Sequence, residues 1–273
     1  MDVLISAADL ATALVSDRPP VVLDVRWRLG GPPGHGDYLR GHVPTAVYVD
    51  LDTELAAHGD PTDGRHPLPT RESLQDSARR WGIDDGDAVV VYDGEGNLAA
   101  ARAWWLLRWA GVADVRLLDG ALPAWTSAGL PLATDDVAPE PGTVTLTTGA
   151  LATITAEEAA AFDGVLLDAR AGERFRGETE PVDPKAGHIP GAVSAPTSDN
   201  LAADGRFRTP EELRERFAAA GVGGDRDVAA YCGSGVTAAH EVAALAIAGI
   251  DAPLYPGSWS QWSNLDLPVA TGE

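Results

Sequence analysis

The residue with the most chemistry to offer is the only cysteine, Cys232, which opens the run Cys232-Gly233-Ser234-Gly235-Val236-Thr237. The stretch Asp227 to Tyr231 before it reads as a strand, and the alanine-rich stretch from Ala238 to Leu245 reads as a helix. A thiol at such a turn sits at the positive end of the helix, where a thiolate is stabilised. The glycines flanking Ser234 let backbone N–H groups turn inward and form an anion-binding nest around the sulfur. A lone cysteine is also often a small buried hydrophobe, and spacing alone leaves both readings open. Ser234 is either a plain turn residue or a proton carrier beside the sulfur.

What positions this loop is an architecture written twice. Val21 to Arg26, containing Asp24, is matched by Val165 to Arg170, containing Asp168; Gly41-His42-Val43-Pro44 is matched by Gly187-His188-Ile189-Pro190. Further along, Val89 to Gly94 faces Val228 to Gly233, so Asp93 stands where the second copy has Cys232. Asp119-Gly120, Trp125 and Leu130-Pro131 face Pro256-Gly257, Trp262 and Leu267-Pro268. The pairs keep their order and nearly constant separation, which implies duplication. Two domains are expected, 1–135 and 149–273, joined by a linker 136–148 poor in core residues.

Strands are predicted at Val21–Val25, Ala88–Tyr92, Val115–Leu118, Val165–Asp168 and Asp227–Tyr231. Helix starts are signalled by Ser6 with Asp9, Thr155 with Glu158, and Thr209 with Pro210 and Glu212. Strands alternating with helices predict an α/β fold, each domain a mostly parallel sheet flanked by helices. Ligands of such sheets bind beyond the carboxyl ends of the strands, here after Tyr92 and after Tyr231.

Composition narrows the partners. Of 273 residues 45% are hydrophobic and 22% charged, as in a folded globular protein. The formal net charge is −21, from 41 acidic and 20 basic residues, and Lys185 is the single lysine. Such a surface repels phosphate backbones and anionic lipid, so neither nucleic acid nor membrane is an expected partner. No stretch approaches the ~20 apolar residues that span a bilayer. No basic flank precedes an apolar run at the start of the chain, and one cysteine forms no internal disulfide; both fit the cytoplasm. His35, His58 and His66 have no metal-ligand spacing and receive no role, and no metal or organic cofactor is expected.

With both Gly-His-x-Pro turns, Arg174-Phe175-Arg176-Gly177, the Cys232 loop and Gly257-Ser258-Trp259, the chain resembles the tandem-domain rhodanese family over nearly its whole length. The loop Cys-Gly-Ser-Gly-Val-Thr is similar to that of its 3-mercaptopyruvate sulfurtransferases, whereas thiosulfate-preferring relatives place basic residues after the cysteine. The resemblance implies a silent N-terminal domain, consistent with Asp93, and a catalytic C-terminal one whose Cys232 carries sulfur as a persulfide. It implies that Ser234 and His42 relay a proton, and that Arg174 holds the donor carboxylate through paired donors. The family's second arginine should fall between Glu178 and His188; Lys185 is the only cation there. Gly233, Gly235, Val236 and Thr237 would line the substrate pocket. The expected donor is 3-mercaptopyruvate or, alternatively, thiosulfate, and the acceptor a thiol, cyanide or a thioredoxin-like protein.

Three other classes compete. Gly94-Glu95-Gly96-Asn97-Leu98-Ala99 after a strand looks like a dinucleotide-binding turn, though Glu95 would set an anion beside a pyrophosphate. A cysteine phosphatase needs an arginine six residues after the cysteine, where Ala238 stands. A non-catalytic sulfur carrier is the third. His188 and His240 are read as structural, and the tryptophans, including Trp104, Trp105 and Trp109, as packing residues.

Overall fold

The computed structural model describes residues 2–224 and 226–273, which form two compact units. In the first unit β1 (Leu4–Ile5), β2 (Val21–Asp24), β3 (Val47–Tyr48), β4 (Ala88–Tyr92) and β5 (Asp114–Leu118) build an all-parallel sheet in the order β1-β5-β4-β2-β3. In the second, β6 (Val165–Asp168), β7 (Val193–Ser194) and β8 (Val228–Tyr231) are parallel in the order β7-β6-β8. Single parallel bridges from Leu254 to Ala230 and to Thr153 extend that sheet where β5 and β1 extend the first. The expected α/β fold, with helices flanking mostly parallel sheets, is the one observed.

The central strands are apolar up to the aspartates Asp24 and Asp168 that end β2 and β6. Val89 to Tyr92 of β4 and all of β6 and β8 are buried, as strands covered on both faces must be. The expected helix starts carry their caps. Ser6 Oγ accepts from the Asp9 amide, and Thr155 and Thr209 form reciprocal capping boxes with Glu158 and Glu212.

One clamp recurs in both units. Arg26 donates to Asp24 at 2.6 and 2.9 Å and to the Gly41 carbonyl at 2.9 Å; Arg170 donates to Asp168 at 2.6 Å and to the Gly187 carbonyl at 2.7 Å. Each pins its Gly-His-x-Pro turn to the end of a strand, and in each a strand-end tyrosine hydroxyl accepts the next amide, Val43 to Tyr92 and Ile189 to Tyr231. A buried carboxylate here has a guanidinium to offset its desolvation, which explains why acid and base recur together.

The segmentation differs from the expected linear one. Residues 136–148 belong to the first unit: the amides of Thr143, Thr145 and Leu146 donate to Asp84, Asp85 and Gln75 at 2.7, 2.9 and 3.0 Å, and Val144 and Leu146 are buried. Side-chain acceptors together with the carbonyls of Arg79, Ile83 and Ala110 hold this stretch, so it reads as a linker in sequence yet is strapped to a body. Conversely Ala57–Leu68 belongs to the second unit and Ala202–Phe207 to the first. Gly142 lies so close to its neighbour that a Cβ on it would meet the Ile83 carbonyl oxygen at 2.1 Å. Gly142→Val is therefore expected to destabilise the protein by about 2 kcal/mol in urea denaturation and to expose the strap to limited proteolysis; an unchanged midpoint and unchanged cleavage would contradict the strapped arrangement.

Candidate active site

Cys232 follows the last residue of β8, at the carboxyl end of the sheet. Its side chain is buried, and the Gly235 amide donates to its Sγ at 3.2 Å. That approach needs the loop to fold back on itself, and Gly235 does so at φ +77°, in the left-handed region. Val236 caps the helix Thr237–Ile247, whose first residue is Thr237. The predicted glycine turn and helix start thus come together on the sulfur.

The backbone around the cysteine is fixed from a second side. The Cys232 amide donates to Ser258 Oγ at 3.1 Å, while the amides of Trp259 and Ser260 donate to the carbonyls of Cys232 and Gly233 at 2.9 and 2.8 Å. Ser258 holds φ +53°, a strained value for a non-glycine residue. The first unit repeats the device: Ala121 holds φ +54°, and the Leu122 amide donates to the Asp93 carbonyl at 3.0 Å.

There, however, a carboxylate fills the nest. Asp93 accepts from the amides of Glu95, Asn97, Ala99 and Ala100 at 2.7, 2.9, 2.9 and 3.2 Å. Burial pushes its carboxyl up and these four donors pull it down, leaving a net rise. The donors that a dinucleotide phosphate would use in Gly94 to Ala100 are already taken, which removes the structural basis of that competing reading.

The histidine beside Ser234 is not the expected one. Ser234 Oγ and His66 Nδ1 lie 2.8 Å apart, both side chains buried. His42 instead stacks on Tyr38 at 4.0 Å and places Nδ1 3.0 Å from the Tyr38 carbonyl. His188 does the same in the other unit, stacked on Phe175 at 3.7 Å with Nδ1 2.7 Å from the Phe175 carbonyl. Both backbones also exchange paired hydrogen bonds, with Ala133 and with Ala270. The role expected for His42 is therefore corrected: the Gly-His-x-Pro histidines are turn-packing residues in both copies.

His66 arrives on the segment Ala57–Leu68. The Arg65 amide donates to Ser260 Oγ at 2.9 Å and Gln261 Nε2 donates to the Thr62 carbonyl at 2.9 Å. Gly64, at φ +90°, is pressed so near that a Cβ would meet the Gly257 carbonyl at 2.9 Å. This close approach delivers Arg65 and His66 to the cysteine loop.

Cations gather on the same face. A Cβ on Gly233 would lie 3.5 Å from an Arg174 guanidinium nitrogen and 3.9 Å from one of Arg65. Lys185 does not join them: its Nζ donates to the Leu265 carbonyl at 2.8 Å and its own carbonyl accepts from Trp259 Nε1 at 2.9 Å, so it ties the turn to the neighbouring helix. The second cation on this face is Arg65. Arg174 donates to Glu180 at 2.6 Å and to Asp183 at 3.2 Å, Asp183 also pairs with Arg65, and Glu180 lies 3.4 Å from Arg170.

A rhodanese-like domain model matches residues 6–128 and again 151–265. The chain belongs to the rhodanese family. A Mycobacterium tuberculosis protein named as the thiosulfate sulfurtransferase SseB is 51% identical over 96% of this chain and 94% of its own length. A Pseudomonas aeruginosa protein named as a 3-mercaptopyruvate sulfurtransferase is 46% identical over 99% of this chain and 98% of its own. The solved structure of the Escherichia coli 3-mercaptopyruvate enzyme SseA covers 95% of this chain, and is itself covered to 99%, with a TM-score of 0.80 at 32% identity. The rhodanese repeat accounts for both the doubled topology and the doubled clamp.

If Asp93 is the anion that its loop requires, Asp93→Ala leaves four amides, those of Asn97, Ala99 and Ala100 buried, without their acceptor and should cost about 3 kcal/mol. Urea denaturation measures this; a variant as stable as wild type would show that the nest needs no anion.

Proposed function

We propose that this rhodanese is a sulfurtransferase that takes sulfur from 3-mercaptopyruvate onto Cys232 and passes the resulting persulfide sulfur to a thiol, cyanide or a thioredoxin-like protein. The observation that carries the reading is the Cys232 sulfur accepting from the Gly235 amide beside the Ser234–His66 hydrogen bond, with two guanidiniums against Gly233. The relatives named for the same activity support it.

In the first half-reaction the Cys232 thiolate attacks the donor's sulfur. An S–S bond forms, the donor's C–S bond breaks, and its electron pair leaves on pyruvate as the enolate. The enolate carbon takes a proton from Ser234, which His66 replenishes as general acid. The Gly235 amide stabilises the charge that remains on sulfur once the persulfide ionises. Arg174 and Arg65 hold the donor carboxylate through the guanidinium N–H groups not engaged by Glu180 and Asp183. In the second half-reaction the acceptor thiolate attacks the outer sulfur, the S–S bond breaks, and Cys232 leaves as thiolate.

Thiosulfate is the second reading, favoured by the name of the mycobacterial relative. Against it stands the loop Gly233 to Thr237, which has no cationic side chain for a dianion. No helix among the described residues is long and apolar enough to cross a membrane. We place the protein in the cytoplasm because thiol acceptors and a free Cys232 need a reducing compartment.

Steady-state kinetics with both donors test the reading. Wild type should show the larger kcat/KM with 3-mercaptopyruvate, and Cys232→Ser should show no turnover. His66→Ala should lose about a hundredfold or more in kcat with its melting temperature kept. His42→Ala should melt lower while keeping its kcat at temperatures where it is folded. A larger kcat/KM with thiosulfate would reverse the donor assignment, and full kcat in His66→Ala would remove the proton relay.

A further inference from the structure

Asp183 stands in an unexpected place for an anion-binding enzyme. Its carboxylate is almost fully buried, and it gives one oxygen to Arg65 and the other to Arg174 at 3.2 Å. Those are the two guanidiniums against Gly233, next to the reactive sulfur. Its position is fixed from behind: the amides of Val182 and Asp183 donate to Glu180 Oε1 at 3.2 and 3.1 Å, turning the chain back toward the arginines.

The pairs join into one alternating array, Asp168–Arg170–Glu180–Arg174–Asp183–Arg65. Three carboxylates balance three guanidiniums, so the array is neutral. An incoming anion meets guanidinium donors but no surplus of positive charge. Every extra negative charge on that anion is repelled by Asp183, and a dianion feels twice the repulsion of a monoanion at the same place. Burial keeps water and salt from screening this difference as they would at the surface.

We infer that Asp183 sets the charge of the sulfur donor the site accepts, admitting a monoanionic α-keto thiol and discriminating against a dianionic donor of the thiosulfate type. The inference rests on the reading above only in taking the face of Gly233 as the place where the donor's anionic group lies. Arg65 and Arg174 then serve as donors of hydrogen bonds, with Asp183 as the element that limits the charge they tolerate.

The test uses the full chain with Asp183→Asn and Asp183→Ser, which remove the charge, and Asp183→Glu, which keeps it. For each, kcat/KM is measured with thiosulfate and with 3-mercaptopyruvate, cyanide being the acceptor, and melting temperature reports folding. The ratio of thiosulfate to mercaptopyruvate should rise about tenfold in the neutral variants and stay within about twofold of wild type in Asp183→Glu. An unchanged or lower ratio in a folded neutral variant overturns the inference. Should neither neutral variant fold, protection of wild-type Cys232 from iodoacetamide decides: pyruvate should protect at lower concentration than sulfate, and the reverse order overturns it. If wild type uses thiosulfate alone, the donor reading falls, while the rise in thiosulfate kcat/KM from wild type to Asp183→Asn still decides the role of Asp183.

Discussion

A chain that leaves a buried parallel strand and turns at once into a helix exposes backbone amides that have no partner in either element. They must be given an acceptor, and a negative one is favoured by the helix end. Both units of this protein obey that constraint and meet it differently. In the first the acceptor is built in, as the Asp93 carboxylate with its four amides. In the second the loop closes on sulfur, through Gly235 to Cys232. A thiol stands in the second copy where the first has a carboxylate, so the duplicated scaffold holds two chemically different groups at one place.

The clamps around each nest explain why the sulfur does not wander. Arg170 ties Asp168 to Gly187 and lies over the Trp259 ring at 4.5 Å, while Trp259 donates its amide to the Cys232 carbonyl. Side chain, aromatic face and backbone form one connected layer under the loop. The strained Ser258 belongs to the same layer, and its hydroxyl accepts the Cys232 amide before donating to the Tyr255 carbonyl at 2.9 Å. Strain at that serine is thus offset by bonds that fix Cys232. The overall charge of −21 does not decide what the site attracts, because the buried charges next to it are matched in pairs.

Much of this was legible in the residues. The strands β4, β6 and β8 announced themselves because parallel strands buried on both faces are apolar runs, broken here only by Asp168 at the end of β6, whereas the two-residue strands β1, β3 and β7 are too short to leave a pattern. The three capped helices followed from Thr or Ser placed three residues before an acid. The cysteine loop was visible from its glycines. What sequence order hid was that Ala57–Leu68 belongs to the second unit and Ala202–Phe207 to the first; the former rests on a close backbone approach at Gly64 and the latter on contacts of Arg206 and Phe207 with Gly120 and Asp119, which no local pattern encodes. Hence the sequence points to His42 and Lys185, whereas the fold brings His66 and Arg65 to the cysteine loop. A clue existed in the repeat itself: His42 has a twin in His188, so its role is shared scaffold, while His66 has no twin and belongs to what only one copy does.

The claim at the centre is that Cys232 itself holds the sulfur in transit. Mass spectrometry of the peptide containing Cys232, after mixing the protein with 3-mercaptopyruvate in the absence of any acceptor, tests it directly. A gain of about 32 Da on that peptide, the mass of one sulfur atom in a persulfide, which disappears on adding cyanide, is the result this account requires. An unmodified Cys232 peptide from protein that is still releasing pyruvate would contradict it.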